Sequence, residues 1–169
     1  MLSSRHLVRA ALVALALSAT AVLSSCTGLR PVYGQPGAGV ERYAFFYGAP
    51  VSRLDQVIYN DLRLRLGQQS SAPDAVKVTI SSSTSSRVLT KTNPTRPSTA
   101  HEMTVAANVR VVGPDGKVLF NGVRRASADY QVVSQVLADN SAAQDAAERA
   151  AHTVADTVRL TIIAALESP

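Results

Sequence analysis

Apolar residues recur every four positions in parts of the chain and every two positions in others, and each spacing predicts a different element. The four-residue spacing predicts a first helix, with an apolar stripe of Leu54, Ile58, Leu62 and Leu66. Ser52 is the expected N-cap and Asp55 occupies the capping-box position that matches it. Gly67 then supplies a C-terminal stop, so the predicted helix is bounded at both ends.

Two-residue alternation predicts strands on both sides of this helix. Residues 40–48 form a short aromatic segment between turn formers and are expected to be the first strand. Val76, Val78 and Ile80 alternate with polar residues and predict a half-buried second strand. From Ser81 to Ser86 both faces are small and polar, so this part of the strand is expected to extend beyond the core.

The alternation returns after a proline-containing segment, residues 91–100, which is expected to be a loop. Residues 101–112 predict a third strand, and the turn former GPDG at 113–116 leads into a fourth. Arg124 falls in the apolar phase of that fourth strand, which would point it inward. Because a glycine inside a strand often marks a bulge, a bulge at Gly122 is expected to relieve this conflict.

The longest apolar stripe lies near the C terminus and predicts a second helix, with Ala147, Ala151, Val154, Val158, Ile162 and Ala165 on one side. The element order is therefore β-α-β-β-β-α. We predict a single α+β domain, in which a mixed four-stranded sheet carries two helices packed on one face.

The first 25 residues have the pattern of a lipoprotein signal peptide. Arg5, His6 and Arg9 precede an apolar run from Ala10 to Val22, which is shorter than the about 20 residues that a membrane span requires. We therefore divide the chain into a signal peptide at 1–25, an acylated N terminus and flexible tether at 26–39, and a folded domain at 40–169.

Cys26 is the only cysteine of the chain and ends the sequence Leu-Ser-Ser-Cys, which has the form of a lipobox. A lone cysteine in an exported protein cannot form an internal disulfide, which favours lipid attachment over a redox role. Two or three acyl chains would hold the protein at a membrane. Because Thr27 rather than an aspartate follows Cys26, the expected location is the periplasmic side of the outer membrane of a Gram-negative cell. An ordinary signal peptide that happens to end near a cysteine is the alternative.

No pattern of residues in the predicted domain indicates catalysis. His101 and His152 have no further ligand at metal-binding spacing, and no serine lies in a nucleophile elbow. We therefore expect a protein that is not an enzyme and that carries no metal or cofactor apart from the covalent lipid on Cys26. A hydrolase acting on envelope material is the least favoured alternative.

Basic residues are the remaining candidates for function, since the formal net charge is +5. Arg87, Lys91 and Arg96 lie around the end of the second strand, and Arg124 lies on the neighbouring hairpin. Guanidinium and ammonium groups bind phosphates through charge-assisted hydrogen bonds, and lipopolysaccharide is the abundant phosphate-rich amphiphile of the outer membrane. Ordinary solvated charges are the alternative. Nucleic acid fits poorly, because no aromatic residues are interleaved with the basic ones.

Three segments resemble the LptE family of lipopolysaccharide-assembly lipoproteins, in its alphaproteobacterial-like form. They are SSCTGLRPVYG after the signal peptide, LRLRLG at the end of the first helix, and AAQDAAERAAHTVADTVRLTI in the last helix. The predicted element order is also similar to that of the family. Thr27 and the long Ser/Thr run depart from the usual family pattern.

The resemblance implies a function that the residues alone do not. LptE-like proteins act as a plug and folding partner inside LptD, a large outer-membrane β-barrel, and assist lipopolysaccharide delivery. The family's basic contacts match Lys91 and Arg96 loosely, and Arg87 and Arg124 are further candidates. An auxiliary lipoprotein of an ABC-type lipid transporter is the alternative.

Overall fold

The fold is a mixed four-stranded sheet with two helices on one face, as a computed structural model of the chain describes it for residues 43–90 and 98–167. In chain order the elements are β1 (Phe45–Tyr47), α1 (Arg53–Leu66), β2 (Val76–Val88), β3 (Thr99–Val112), β4 (Val118–Val132) and α2 (Val136–Glu167). The strand order is β1-β2-β3-β4, with β1 parallel to β2 and the other pairs antiparallel. The predicted α+β class and element order are confirmed. The signal peptide, Cys26 and the tether lie outside the described residues.

Two predicted boundaries differ from the structure. Within the predicted segment 40–48, the described strand β1 covers only Phe45–Tyr47, because it pairs with just Val76–Val78 before the chain turns towards α1. The loop predicted for 91–100 is wrong at its end, since Thr99 and Ala100 already pair with β4. The rest of that loop, residues 91–97, lies outside the described residues.

Alternation along the strands places one continuous apolar layer under the helices. Every second residue is buried from Val76 to Ile80 in β2 and from Val105 to Val111 in β3, as the two-residue pattern predicts. From the helices, Ile58 and Leu62 of α1 and small or branched residues of α2 complete the core. The core members on the strands are Val76, Val78, Ile80, Val105, Ala107, Val109 and Val111. The burial of β2 ends near Ser82, so the predicted extension beyond the core is confirmed.

Ion pairs join the two helices along their exposed sides. Arg53 pairs with Glu148 at the start of α1, and Arg65 pairs with Asp156 near its end. Between them, the Nδ1 atom of His152 lies 2.6 Å from the Oδ2 atom of Asp61. All three pairs are at least partly solvated, and we expect each to contribute little to stability. They fix the two helices side by side in a parallel orientation.

Asp55 of α1 forms a buried junction between the helix and β2. The predicted capping box is present: the Asp55 N–H donates to Ser52 Oγ at 3.0 Å, and the Ser52 N–H donates to Asp55 Oδ2 at 3.0 Å. The same carboxylate also accepts from the backbone N–H of Val51 at 3.1 Å and, across the fold, from the N–H of Ser82 at 2.7 Å and its hydroxyl at 2.5 Å. The residue is only 1% exposed, so these bonds replace its hydration.

This junction predicts a specific loss of stability in acid. Burial alone would raise the pKa of Asp55, but the hydrogen bonds from Ser82, Ser52 and Val51 outweigh burial and lower that pKa below its ordinary value. A lowered folded-state pKa means that the contribution is present above the unfolded-state pKa of about 4 and is lost as the pH falls through the folded-state value. We expect the free energy of unfolding to fall more steeply below pH 4 in the wild type than in Asp55→Asn. Parallel profiles of urea midpoint against pH would contradict this assignment.

The β3–β4 hairpin contains a bulge, but not where the sequence predicts it. Val111 pairs with Phe120 and Val112 with Val118, so the extra residue is Leu119. Gly122 pairs regularly with Val109, and the predicted bulge at Gly122 is therefore wrong. The conflict that motivated it is resolved by contacts: the Phe120 ring covers Gly122, and Arg124 lies against that ring while its Nε donates to Thr161.

Candidate partner-binding surface

One face of the sheet is covered by neither of the two described helices and consists mainly of small polar and charged residues. We call it the open face. Its three rows are Lys77, Thr79, Ser81, Ser83, Ser85 and Arg87 on β2, Glu102, Thr104, Ala106, Asn108 and Arg110 on β3, and Asn121, Val123, Arg125, Ser127 and Asp129 on β4. These residues are exposed or half-exposed, and Thr104 and Ser127 share a hydrogen bond of 2.8 Å across the strands. The open face therefore offers hydroxyl and amide groups, with few apolar ones, to whatever contacts it.

The outer edge of β2 is covered at one end, and at the other end no described residue pairs with it. β1 covers it as far as Val78, and α1 covers the next two outward N–H groups with side chains. The N–H of Ile80 donates to the Tyr59 hydroxyl at 2.7 Å, and that of Ser82 donates to Asp55. Burial raises the pKa of Tyr59, so its hydroxyl stays protonated and can donate in turn to the Ile80 carbonyl at 3.4 Å.

Beyond Ser82 the outward backbone groups of Thr84, Ser86 and Val88 form no hydrogen bond to any described residue. We call Ser83–Val88 the free edge. It has no proline, no bulge and no inward-pointing charge, which are the usual features that block pairing with another strand. The free edge is therefore able to accept a further strand.

The basic residues predicted from the sequence are not brought together. Arg87 lies on the open face, where its Nε donates to Glu102 Oε1 at 2.9 Å. Arg124 lies on the opposite, helix-covered side of the sheet, because it pairs in register with the buried Ala107. Lys91 and Arg96 lie outside the described residues. Arg125, next in sequence to Arg124, shares the open face with Arg87, as do Lys77 and Arg110.

Arg124 enters a cleft between β4 and α2. Its guanidinium lies 4.5 Å from the centroid of the Phe120 ring, its Nε donates to Thr161 Oγ1 at 2.8 Å, and its Nη1 donates to the Val123 carbonyl at 3.2 Å. The cleft is open to solvent, has a volume of about 560 Å³ and is lined by Leu119, Phe120, Arg124, Thr157, Leu160, Thr161, Ala164 and Ala165. The sequence pattern marked Arg124 as anomalous, but Thr161, which accepts its hydrogen bond from α2, is 37 positions away in sequence.

The described residues contain no group of three or more His, Cys, Asp or Glu side chains that could hold a metal ion. His152 pairs with Asp61, as described above, and the His101 ring packs on Tyr130 with centroids 5.4 Å apart. In the described part of the chain, neither helix combines the length and hydropathy of a membrane span. Residues 43–90 and 98–167 thus form an α+β domain in which neither helix covers one polar sheet face and no described strand pairs with one end of the β2 edge.

The chain belongs to the LptE family. The sequence model of that family, described as Lipopolysaccharide-assembly, matches residues 42–162, well over half of the 169 residues. The resemblance noted from three short segments is thereby confirmed, and the protein has a role in lipopolysaccharide assembly. No curated protein sequence matches the chain.

Solved structures share this fold at low sequence identity. A structure described as a lipoprotein from Caulobacter crescentus CB15 is 19% identical, with a TM-score of 0.52, and the match covers 77% of this chain and 95% of that one. Rare lipoprotein B from Shewanella oneidensis is 17% identical, with a TM-score of 0.57, and the match covers 74% and 95% of the two chains. A minor lipoprotein from Acinetobacter baumannii is 14% identical, with a TM-score of 0.54 and coverage of 72% and 91%. At these identities the likeness establishes the fold.

Proposed function

We propose that the protein is a non-catalytic outer-membrane lipoprotein, anchored through an acylated Cys26, that acts as plug and folding partner of an LptD-like β-barrel. The open face is the observation that carries this proposal. The lumen of an outer-membrane barrel is polar and hydrated, so a protein that fills it needs a polar contact surface. A sheet face of serine, threonine and asparagine meets that need, since hydroxyl groups both donate and accept hydrogen bonds.

The free edge supports the same proposal. A barrel wall and its loops are built of extended chain, and an exposed strand edge can bind extended chain through main-chain hydrogen bonds. Six residues of the free edge, at about 3.3 Å per residue, offer about 20 Å of such contact. We propose that the edge binds an extended segment of the barrel protein next to the open face.

Lipopolysaccharide binding is part of the proposal. Arg87, Lys91, Arg96 and Arg124 remain the candidate residues, with two constraints from the structure. Arg87 is already engaged by Glu102, which reduces the charge it can offer a phosphate. Arg87 and Arg124 occupy opposite faces of the sheet, so a single lipid phosphate cannot contact both residues.

Affinity purification tests the proposed function most directly. When tagged full-length protein is purified from detergent-solubilised membranes, we expect an outer-membrane β-barrel protein to co-purify in comparable amount. Depletion of the protein is expected to lower the lipopolysaccharide on the cell surface. The matched control is Cys26→Ala, which cannot be acylated and is expected to be recovered from the membrane fraction in smaller amount.

Two results would contradict the proposal. The first is recovery of the protein alone under conditions that preserve membrane complexes. The second is recovery of an inner-membrane ABC transporter in place of a barrel, which would favour an auxiliary role in lipid transport.

A further inference from the structure

The free edge lacks the contacts that occupy the outer edge of β4. On β4, the side chains of Arg124 and Arg149 donate to main-chain carbonyls of that strand. On the free edge, the outward N–H and C=O groups of Thr84, Ser86 and Val88 bond to no described residue. Unpaired edge groups are a template for another strand, and folded proteins usually block or cover them. A strand that covers this edge must present unpaired groups at the same spacing.

A second copy of the chain presents that spacing, because its free edge has the same three residues. A two-fold axis through Ser86 makes the two edges antiparallel and places Thr84 of each copy opposite Val88 of the other, with Ser86 opposite itself. Every outward residue then meets an outward residue. Each such pair exchanges two main-chain hydrogen bonds, so the three pairs form six. The two-fold arrangement thus satisfies the free edges of both copies at once.

The two neighbouring registers are less favourable. An axis one residue earlier sets Val88 of one copy opposite Ser82 of the other, whose N–H is already bonded to α1. An axis one residue later sets the two Arg87 side chains directly opposite each other on the open face, and like charges in that position are destabilising. The axis at Ser86 sets Arg87 opposite Ser85 instead, which is small and uncharged. Hydrogen bonding and charge therefore select the same register.

The same arrangement covers two exposed apolar residues of each copy. Val51, which comes just before α1, is 91% exposed, and Val88 is 57% exposed. Ser52 holds the start of α1 against β2, since its Oγ atom lies 3.2 Å from that of Ser82. The side chains of Ser82 and Val88 share the helix-covered side of the sheet, because both residues belong to the even-numbered row of β2. The pairing of Thr84 with Val88 therefore brings Val51 of one copy next to Val88 of the other, twice by symmetry.

We infer that the free edge pairs with the free edge of a second copy, as an antiparallel two-fold dimer centred on Ser86, in protein that is not bound to a barrel. The inference uses the geometry of the free edge and does not require the proposed function. The two meet at one site, because an edge that is paired with a second copy cannot also bind an extended segment of the barrel. Five paired residues from each copy bury less than the about 1,200 Å² of a stable interface, so the dimer is reversible and can give way to the barrel.

Disulfide cross-linking tests the dimer and its register. Full-length protein is overproduced, so that most copies have no partner, purified in detergent and oxidised with copper phenanthroline. In the dimer the two Ser86 Cα atoms are about 5.5 Å apart, within disulfide range, whereas the two Thr84 Cα atoms are separated by four residues along the strands, about 13 Å. We expect Ser86→Cys to give a cross-linked dimer on a non-reducing gel and Thr84→Cys, exposed on the same face, to give none. The wild type controls for links through Cys26, its one cysteine.

A mixture of two variants tests the register independently. Thr84→Cys and Val88→Cys are each expected to form no link alone, but an equimolar mixture is expected to give a dimer, because these positions lie opposite each other across the axis. Ser86→Pro added to both variants removes the two central hydrogen bonds and is expected to lower the initial rate of cross-linking in the mixture at least about tenfold. Equal cross-linking of each variant alone and in the mixture would mean random collision and would overturn the inference.

Charge at position 85 gives a test that leaves the main chain unchanged. Ser85→Lys places a cation opposite Arg87 of the second copy, and Ser85→Glu places an anion there. Combined with Ser86→Cys, the lysine is expected to slow cross-linking about threefold and the glutamate to speed it about threefold. Absence of a link in Ser86→Cys, or one rate for both charges, would overturn the inference. Because no barrel takes part in these experiments, a negative result would leave the co-purification test of the proposed function unaffected.

Discussion

Replacing Asp55 with alanine is expected to lower the free energy of unfolding by about 3 kcal/mol. The substitution leaves the Ser52 hydroxyl bonded to the backbone of residue 55 but removes the acceptor for two N–H groups at the start of α1. It also removes the shared acceptor of the N–H and hydroxyl of the half-buried Ser82, and leaves that hydroxyl only the Ser52 hydroxyl at 3.2 Å as a partner. A buried donor that loses its acceptor costs about 1–3 kcal/mol. The Val51 N–H is exposed and can bond water instead, so the total cost stays near the lower end of the summed range.

Urea unfolding followed by circular dichroism measures this effect. The matched control is Asp74→Ala, because Asp74 is an exposed aspartate in the turn before β2 and should change stability by less than about 0.5 kcal/mol. Ser82→Ala removes only the hydroxyl and is expected to cost about 1 kcal/mol. A loss below about 1 kcal/mol for Asp55→Ala would mean that the junction between α1 and β2 does not stabilise the fold in this way.

The two roles of Asp55 show how far sequence reasoning extends. The capping box depends on residues three positions apart, so a local pattern was sufficient to predict it. The bonds to Ser82 join residues 27 positions apart and depend on which strand the helix end meets. No local pattern carries that information. The same holds for the hydrogen bond between Tyr59 and Ile80, which are 21 positions apart.

The bulge at Gly122 was predicted wrongly for a similar reason, because the contacts that decide it are not local in sequence. Sequence alternation showed correctly that Arg124 points to the apolar side, and the expected bulge at Gly122 assumed that a guanidinium could not remain there. The structure satisfies it through Phe120, four positions away on the same strand face, and through Thr161, 37 positions away on α2. The placement of Arg87 and Arg124 on opposite faces likewise depends on the register through β3, which the sequence did not establish.

The proposed contact with the barrel makes the free edge the place where a small change should have the largest functional effect. Ile80 and Ser82 direct their N–H groups outward, whereas Leu89 donates inward to Ala100 of β3. The backbone N–H and C=O groups of even-numbered residues in β2 therefore point to the outer edge, and those of odd-numbered residues point to β3. Proline at position 86 removes an outward N–H and introduces a ring that blocks strand addition, and edge strands tolerate proline at such a position.

We expect Ser86→Pro to reduce recovery of the barrel in affinity purification about tenfold, since the loss of two or three main-chain hydrogen bonds at about 1 kcal/mol each accounts for at least that factor. The urea midpoint should stay close to that of the wild type. The neighbouring Ser85→Pro is the matched control, because it removes a hydrogen bond to β3 and should destabilise the fold by about 2 kcal/mol. Full barrel recovery with a stable Ser86→Pro protein would exclude pairing at the free edge and leave the open face as the contact. A joint loss of stability and barrel in Ser85→Pro alone would show only that the barrel needs a folded partner.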